Sequence, residues 1–185
     1  MGRAANRGEA GFTLIEAMIA IVVLTFGVLS LAGVFAQGIV VANMTQMDYI
    51  AQKKAEEAME SIFAARDSKE QPWANIRNVQ GVSGTDGGIF LDLPEPLVAP
   101  GVDGLFGTAD DVLTQPEVVI LGPGPDGQLG TADDLVMSLT GMTRTIAIVD
   151  IPNEPNLRQI TITMNYQVGH ITRQYTLLSY ISQFS

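Results

Sequence analysis

The side chains in this sequence that could do chemistry are mostly carboxylates, and they occur in two very different settings. Glu16 lies inside a long apolar run, whereas six aspartates lie in glycine-rich segments in the middle of the chain. A charged side chain in hydrocarbon costs about 2.5 to 3.5 kcal/mol on insertion scales, so an acid there usually has a partner. Clustered aspartates supply the oxygen ligands that calcium prefers. The two settings therefore predict two different kinds of site.

The apolar run is long enough to cross a membrane. Between Phe12 and Ala42 there is no Lys, Arg, Asp or Pro, and about 20 apolar residues span a bilayer. The run also lacks the small-residue cleavage site that follows the shorter apolar region of a secretory signal. Arg3 and Arg7 precede it. The positive-inside rule therefore predicts a cytoplasmic leader at residues 1–11, with the rest of the chain beyond the membrane outside the cytoplasm.

The order of residues at the start of the run is distinctive. The segment Gly11-Phe12-Thr13-Leu14-Ile15-Glu16 resembles the class III signal of type IV pilins and pseudopilins. The resemblance implies that prepilin peptidase cleaves after Gly11 and methylates the new amino terminus at Phe12. It also implies that Glu16 neutralises the terminal amine of a neighbouring subunit during fibre assembly. From the spacing alone, a cut at this bond would place the amine one helical turn from Glu16, where each charge compensates the other.

The elements that position these residues begin with one long helix. Apolar residues recur at three- and four-residue steps beyond the membrane-length run, which predicts a helix over residues 13–66. Residues 12–42 would form its membrane or fibre-core part, and residues 43–66 an amphipathic part lying on a sheet. The predicted core stripe is Met44, Met47, Ala51, Ala55, Ala58, Met59, Ile62 and Phe63. Many major pilins carry a proline in this helix, and its absence here favours a minor or specialised subunit.

Residues 67–185 are predicted to form a pilin-like globular domain that ends in a sheet. Three runs alternate with the period of a strand, at residues 143–150, 158–167 and 172–182. Turn residues at 152–156 and 168–170 separate them and predict an antiparallel meander. The inward face of the middle strand would carry Ile160, Ile162, Met164 and Tyr166. The predicted fold class is α+β, with a long N-terminal helix packed on a C-terminal antiparallel sheet.

A long acidic loop insertion separates the helix from these strands. It contains one twelve-residue pattern twice, at residues 100–111 and 123–134, with nine of twelve positions identical. Between Asn78 and Thr143 there are ten acids and no Lys or Arg, so local ion pairs cannot neutralise them. Calcium takes about 6 to 8 oxygen ligands, and glycines let carbonyls turn inward. The candidate ligands are Asp103, Asp110 and Asp111 in the first copy and Asp126, Asp133 and Asp134 in the second.

An alternative explanation of the repeats needs no metal. Asp-Gly is also a hairpin turn signal, and solvated acidic loops suit an exported protein. The pattern is neither an EF-hand nor a nonapeptide repeat, because the spacing of acids differs from both. A turn alone would require only the Asp-Gly, whereas the copied pattern also includes a threonine and a paired aspartate, which favours calcium. Since the chain has no cysteine, bound ions would brace a region that no disulfide holds.

Two isolated side chains could attract a functional interpretation. Trp73 is the only tryptophan, and we expect it to fill the junction between helix and sheet rather than bind a ligand. His170 lies beside a turn glycine without a second histidine or a cysteine. A metal or catalytic role for it is therefore not expected.

The function predicted from these features is structural. The chain lacks a Ser-His-Asp or Cys-His set, so we predict no enzyme activity. Its net charge of −10 argues against nucleic acid as a partner of this subunit. The predicted protein is a minor pilin or pseudopilin of a type IV pilus or a type II secretion pseudopilus. Its partners would be prepilin peptidase, other pilin subunits and the inner-membrane assembly platform.

The location and the alternative function follow from the same features. We expect a single-pass inner-membrane protein that later enters a fibre or reaches the cell surface. The alternative is a membrane-anchored, calcium-dependent adhesin or sensor that uses a pilin-type export signal. Glu16 distinguishes the two, because the resemblance implies that fibre assembly should fail without its charge, whereas a simple anchor should work without it.

Overall fold

The computed structural model describes residues 11–80 and 87–184. The chain divides into two compact units between Met44 and Thr45, and helix α1 (Leu14–Asp67) contributes to both. The helix predicted over residues 13–66 is confirmed, with each end displaced by one residue. Apart from Gly11, the predicted leader lies outside the described residues.

In the first unit, α1 is apolar and exposed. Its large apolar side chains, from Leu14 to Val41, are all exposed to solvent. The helix includes an 18-residue window with a mean hydropathy of 2.6 in which no residue is buried. By length and composition, this part of α1 can cross a membrane.

In the second unit, the outer part of α1 buries one face. Five members of the predicted stripe are buried: Ala51, Ala55, Ala58, Met59 and Ile62. Met44 was also predicted, but it is only half-buried and is not among the core residues. Met47 and Phe63 pack at the margin of the same core. The prediction omitted Ile50 and Ala65, which are also buried. Because the stripe is rich in alanine, the helix backbone can lie close to the elements beneath it.

This face shares one core with an antiparallel sheet. Within the described residues the sheet has four strands, in the order β1 (Glu95–Pro96), β6 (Thr143–Ile151), β7 (Glu154–Val168) and β8 (Ile171–Ser182). The predicted meander is therefore confirmed as β6–β7–β8. The predicted inward residues of β7, Ile160, Ile162, Met164 and Tyr166, are all buried.

The hairpin turns are tighter than the sequence predicted. β6 and β7 are joined by Pro152 and Asn153 rather than by residues 152–156, and Asn153 adopts a positive φ of 66°. Pro155 lies inside β7, where the register with β6 shifts. Such an irregularity tolerates proline, because a ladder donor is not required there. Gly169 and His170 join β7 to β8.

The acidic insertion contains short strands, which corrects the prediction of one long acidic loop. β2 (Val98–Ala99) pairs with β3 (Val112–Pro116), and β4 (Val118–Gly122) pairs with β5 (Leu135–Ser138). The first repeat, residues 100–111, connects β2 to β3, and the second, residues 123–134, connects β4 to β5. We call these connections the first loop and the second loop. Strands of two to five residues are too short for alternation to identify them.

Candidate functional site

Glu16 caps the beginning of α1 together with Thr13. The Thr13 backbone N–H donates to Glu16 Oε2 at 3.0 Å, and the Thr13 hydroxyl donates to the same oxygen at 2.9 Å. In return, the Glu16 N–H donates to Thr13 Oγ1 at 3.3 Å. This reciprocal arrangement is a capping box, which satisfies donors that the first turn of a helix leaves free. The carboxylate at the head of the apolar helix therefore has partners within its own turn.

The predicted processing residues precede this cap. Gly11 and Phe12 are exposed and lie outside the helix. An accessible, non-helical segment is the kind that a peptidase can cleave. In this uncleaved chain Phe12 has no free amine, so Thr13 rather than an amino terminus partners Glu16.

The first loop is closed by its own aspartates. Each accepts a hydrogen bond from a backbone N–H of the loop: Leu105 to Asp103 at 2.9 Å, Asp103 to Asp110 at 3.2 Å and Gly107 to Asp111 at 2.7 Å. The Thr108 hydroxyl adds a hydrogen bond to Asp110 Oδ1 at 2.8 Å. The loop therefore uses three carboxylates to satisfy its backbone N–H groups, and one hydroxyl that donates to the Asp110 carboxylate.

The second loop repeats these contacts. The corresponding backbone hydrogen bonds are Gln128 to Asp126 at 2.8 Å, Asp126 to Asp133 at 3.2 Å and Gly130 to Asp134 at 2.6 Å. The Thr131 hydroxyl donates to Asp133 Oδ1 at 2.7 Å. The threonine and the paired aspartates are thus required by the hydrogen bonding of the loop itself. This accounts for their duplication without an ion.

A glycine stands where each loop closes on itself. A Cβ at Gly101 would overlap the carboxylate and the carbonyl oxygen of Asp110, and a Cβ at Gly124 would overlap the same groups of Asp133. Only a residue without a side chain allows so close an approach. These glycines therefore belong to the loop geometry as much as the aspartates do.

The two loops differ in burial although their hydrogen bonds match. In the first loop, Leu105 is 2% and Phe106 is 6% exposed. The Arg144 guanidinium lies over the Phe106 ring, 4.4 Å from its centroid. The second loop has Gln128 and Leu129 at these two positions, and Leu129 is 67% exposed. The first loop is thus part of the core, and the second projects into solvent.

The aspartates of the loops keep an unneutralised charge. None of the six forms an ion pair with Lys or Arg among residues 11–80 and 87–184. The Thr108 hydroxyl lowers the pKa of Asp110, and the Thr131 hydroxyl lowers that of Asp133. Burial raises the pKa of Asp111, despite hydrogen bonds and the nearby Arg144 charge that act in the opposite direction.

The loops do not form a ready coordination shell for calcium. The part of the chain that the structure describes contains no group of three or more His, Cys, Asp or Glu side chains placed to hold a metal ion. Several of the candidate carboxylate oxygens instead face N–H donors, which would repel a cation at the same position. Calcium binding therefore stays a prediction.

The sequence analysis did not single out Asn78, which is fully buried. Its side-chain amide donates to the Ile146 carbonyl at 2.7 Å, and its Oδ1 accepts from the Ile148 N–H at 2.7 Å. Asn78 thus continues the hydrogen bonding of β6 beyond the short strand β1. An asparagine next to a loop is typical of a turn, so no sequence signal pointed to this role.

Arg158 is a second buried polar residue that the sequence analysis missed. Its guanidinium donates to Asp150 at 2.8 Å, to the Ile76 carbonyl at 2.8 Å and to the Trp73 carbonyl. It also lies 4.0 Å from the centroid of the Trp73 ring. Trp73 packs against the core as predicted, and the cation–π contact attracts the Arg158 guanidinium to the face of its ring.

A second buried charge network connects the helix to the sheet. Glu117 Oε2 lies 2.9 Å from Lys54 Nζ, and Glu117 Oε1 lies 3.1 Å from Arg144 Nη1. Glu117 stands between β3 and β4, so this network holds α1, that corner and β6 together. Burial alone would lower the pKa of Lys54, but its hydrogen bonds to Glu57 and Glu117 outweigh burial and leave the pKa raised.

Comparison with known proteins identifies the N-terminal segment. Residues 6–32, which are 27 of the 185, match the family described as the prokaryotic N-terminal methylation motif. No curated protein and no solved structure matches the chain significantly. The chain therefore carries the class III signal of type IV pilins at the start of a long apolar helix. Together with the antiparallel sheet, this gives the protein a pilin-like α+β architecture.

Proposed function

We propose that this chain is a structural subunit of a type IV pilus or a type II secretion pseudopilus. The observation that carries the proposal is the capping box of Thr13 and Glu16 directly after the predicted cleavage bond. The helix begins just after this bond, while Gly11 and Phe12 remain outside it. Cleavage after Gly11 and methylation at Phe12 would then leave the helix intact. In the cleaved subunit, the helix would start two residues after the new amino terminus.

The apolar part of α1 supports assembly into a fibre. Its exposed side chains require a cover of hydrocarbon or of other apolar helices. Gly27, Gly33 and Gly38 have open space around the position of a Cβ, and such small residues let neighbouring helices approach closely. We propose that the bilayer covers this surface before assembly and that other pilin subunits cover it afterwards. Prepilin peptidase and an inner-membrane assembly platform would be the other partners.

The orientation and the specialised role are further parts of the proposal. The leader would lie in the cytoplasm, and residues beyond the membrane segment would lie outside it before the subunit enters a fibre. The helix from Leu14 to Asp67 contains no proline. This uninterrupted sequence supports a minor rather than a major subunit.

Matched variants at the cap separate the charge of Glu16 from its hydrogen bonds. Glutamine also forms a capping box, so Glu16→Gln removes the charge and keeps the cap. Thr13→Val keeps the charge and removes the side-chain part of the cap. If the subunit assembles as proposed, Glu16→Gln is still cleaved after Gly11 but is lost from fibres. The Thr13→Val chain, in contrast, is incorporated into fibres at a level closer to that of the wild-type chain.

The measurement is peptide mass mapping of sheared fibres and of membranes. A methylated Phe12 peptide in fibres supports a pilus, and the same peptide confined to membranes supports a pseudopilus or a priming role. A Gly11→Val chain should keep its leader. An uncleaved wild-type chain in cells with active peptidase contradicts the proposal. Full function of Glu16→Gln would favour the membrane-anchored adhesin or sensor.

We also propose that the loops bind calcium. The proposal is supported by the six loop aspartates without a Lys or Arg partner among the described residues, although the loops would have to rearrange their N–H contacts. An ion that binds only the folded chain stabilises it by about 2.7 kcal/mol at 100 times its dissociation constant. Calcium should therefore raise the melting temperature of the full chain in detergent relative to EGTA, and magnesium at the same concentration should not. Equal melting temperatures in calcium and in EGTA would refute this part.

A further inference from the structure

The first loop shows how a loop of this type docks on a protein surface. Leu105 and Phe106 enter the core, and the Arg144 guanidinium covers the Phe106 ring. A Cβ at Gly107 would lie 3.0 Å from Ile146 Cδ1, so the loop backbone lies directly against a side chain of β6. The acceptor surface therefore combines an apolar pocket with one arginine at its border.

The second loop presents the same backbone structure without an acceptor. Leu129 occupies the position of Phe106 and is exposed to solvent. The hairpin that carries the loop is also apolar on its outer surface, where Ile120 pairs across the strands with Val136, and both are exposed. Exposed apolar residues that occur together on one hairpin are typical of interaction sites.

The charge around this surface is acidic. Asp126, Asp133 and Asp134 belong to the second loop, and residues 79–142 contain no Lys or Arg. A partner with acidic residues at the same place would be repelled, whereas arginine or lysine at its border would be attracted. Charge complementarity therefore selects the same kind of acceptor as Arg144 provides for the first loop.

We propose that the second loop and the outer face of the β4–β5 hairpin dock on another protein, which offers an apolar pocket bordered by arginine or lysine. A second copy of this chain does not fit, because its equivalent pocket is filled by its own first loop. The interaction does not depend on cleavage or on Glu16. Its failure would therefore leave the proposed function unaffected.

Photocrosslinking in the cells that produce the full chain tests this surface. A photoreactive phenylalanine analogue is placed at Leu129, and in a control chain at Leu93, which is 70% exposed against 67% for Leu129. We expect position 129 to yield one crosslinked protein whose crosslinked peptide contains apolar residues together with Arg or Lys. Position 93 should not yield it.

Three results would overturn the proposal. The first is that position 129 gives no discrete crosslinked product beyond that at position 93. The second is a crosslinked peptide without a basic residue, and the third is a crosslink only to a second copy of this chain. Each would mean that the apolar hairpin does not have the occupant described.

A binding measurement with the crosslinked protein distinguishes docking from mere proximity. Leu129→Gln in the full chain in detergent should weaken the affinity about tenfold or more, because a buried leucine is lost from the contact. Leu93→Gln should not change it, and both variants should melt as the wild-type chain does. Raising the salt concentration should weaken binding by the wild-type chain. An affinity that is insensitive to both Leu129→Gln and salt contradicts the proposal.

Discussion

Glu16 and the six loop aspartates act as acceptors for nearby N–H and O–H groups. Glu16 accepts from Thr13 at the helix start, and the loop aspartates accept from the backbone of their own turns. Glu117 differs, because it is buried and pairs with Lys54 and Arg144. The role of each acid is thus determined by the donors around it rather than by residue type.

Asn78 offers a stringent test at the scale of one residue. Asn78→Leu should lower the free energy of unfolding by about 2 to 4 kcal/mol, because the Ile146 carbonyl and the Ile148 N–H each lose a buried partner. The exposed Asn156 serves as the control, and Asn156→Leu should change stability by no more than about 0.5 kcal/mol. Thermal unfolding of the detergent-solubilised chain measures both. Equal melting temperatures for the two variants would contradict the role of Asn78 at β6.

The raised pKa of Lys54 predicts a loss of stability at alkaline pH. A lysine whose pKa is higher in the folded chain contributes stability that is complete below its ordinary pKa of 10.5 and is lost as pH rises through the folded value. Wild-type stability should therefore fall above about pH 10.5, and more steeply than that of Lys54→Met. Lys53→Met is the control, since salt screens its exposed pair with Glu56. Parallel pH profiles for wild type and Lys54→Met would argue against this ion pair.

At the scale of elements, each acidic repeat is the connection of one hairpin. The same hydrogen bonds close both loops, but their surroundings differ. The loop between β2 and β3 contributes apolar side chains to the core, and the loop between β4 and β5 does not. A substitution that disrupts the hydrogen bonds closing a loop should therefore lower stability more in the first loop than in the second.

The glycines at the loop closures provide a matched pair of variants. Gly101→Ala should lower the free energy of unfolding by about 1 to 3 kcal/mol, because the overlap with Asp110 disturbs a loop packed into the core. Gly124→Ala creates the same overlap with Asp133, but the exposed second loop can open locally. Its cost to global stability should be smaller, below about 1 kcal/mol. Equal losses of stability from the two variants, measured by melting temperature, would contradict the difference in how the two loops pack against the core.

At the scale of the whole molecule, the buried core belongs to the second unit. Its first member along the chain is Ile50, and the membrane-length part of α1 contributes no buried residue among those described. The stability of the second unit should therefore not require the apolar part of the helix.

Truncation tests this independence. A chain of residues 45–185 should unfold cooperatively in the absence of detergent, with circular dichroism typical of helix and sheet together. Its melting temperature should lie within a few degrees of that of the full chain in detergent. A second truncation at Ala55 should unfold at much lower temperature, since it removes the buried residues Ile50 and Ala51. Absence of a cooperative transition in residues 45–185 would show that the two units depend on each other.

The sequence by itself determined the periodic elements and the processing signal. The helix follows from apolar residues at three- and four-residue steps, and the strands β6 to β8 follow from strict alternation, as at Ile160, Ile162 and Met164. The class III signal is a contiguous segment, so its detection requires no folding. These features are local, and local chemistry was sufficient to predict them.

Only the tertiary structure decided what the remaining residues do. Asn78 and Ile146 meet across 68 positions of sequence, and Glu117 meets both Lys54 and Arg144. The two repeats are nearly identical in sequence, yet one packs in the core and the other is exposed. The cause is that burial depends on which surface lies opposite a segment. That surface is formed by distant parts of the chain, which no local pattern describes.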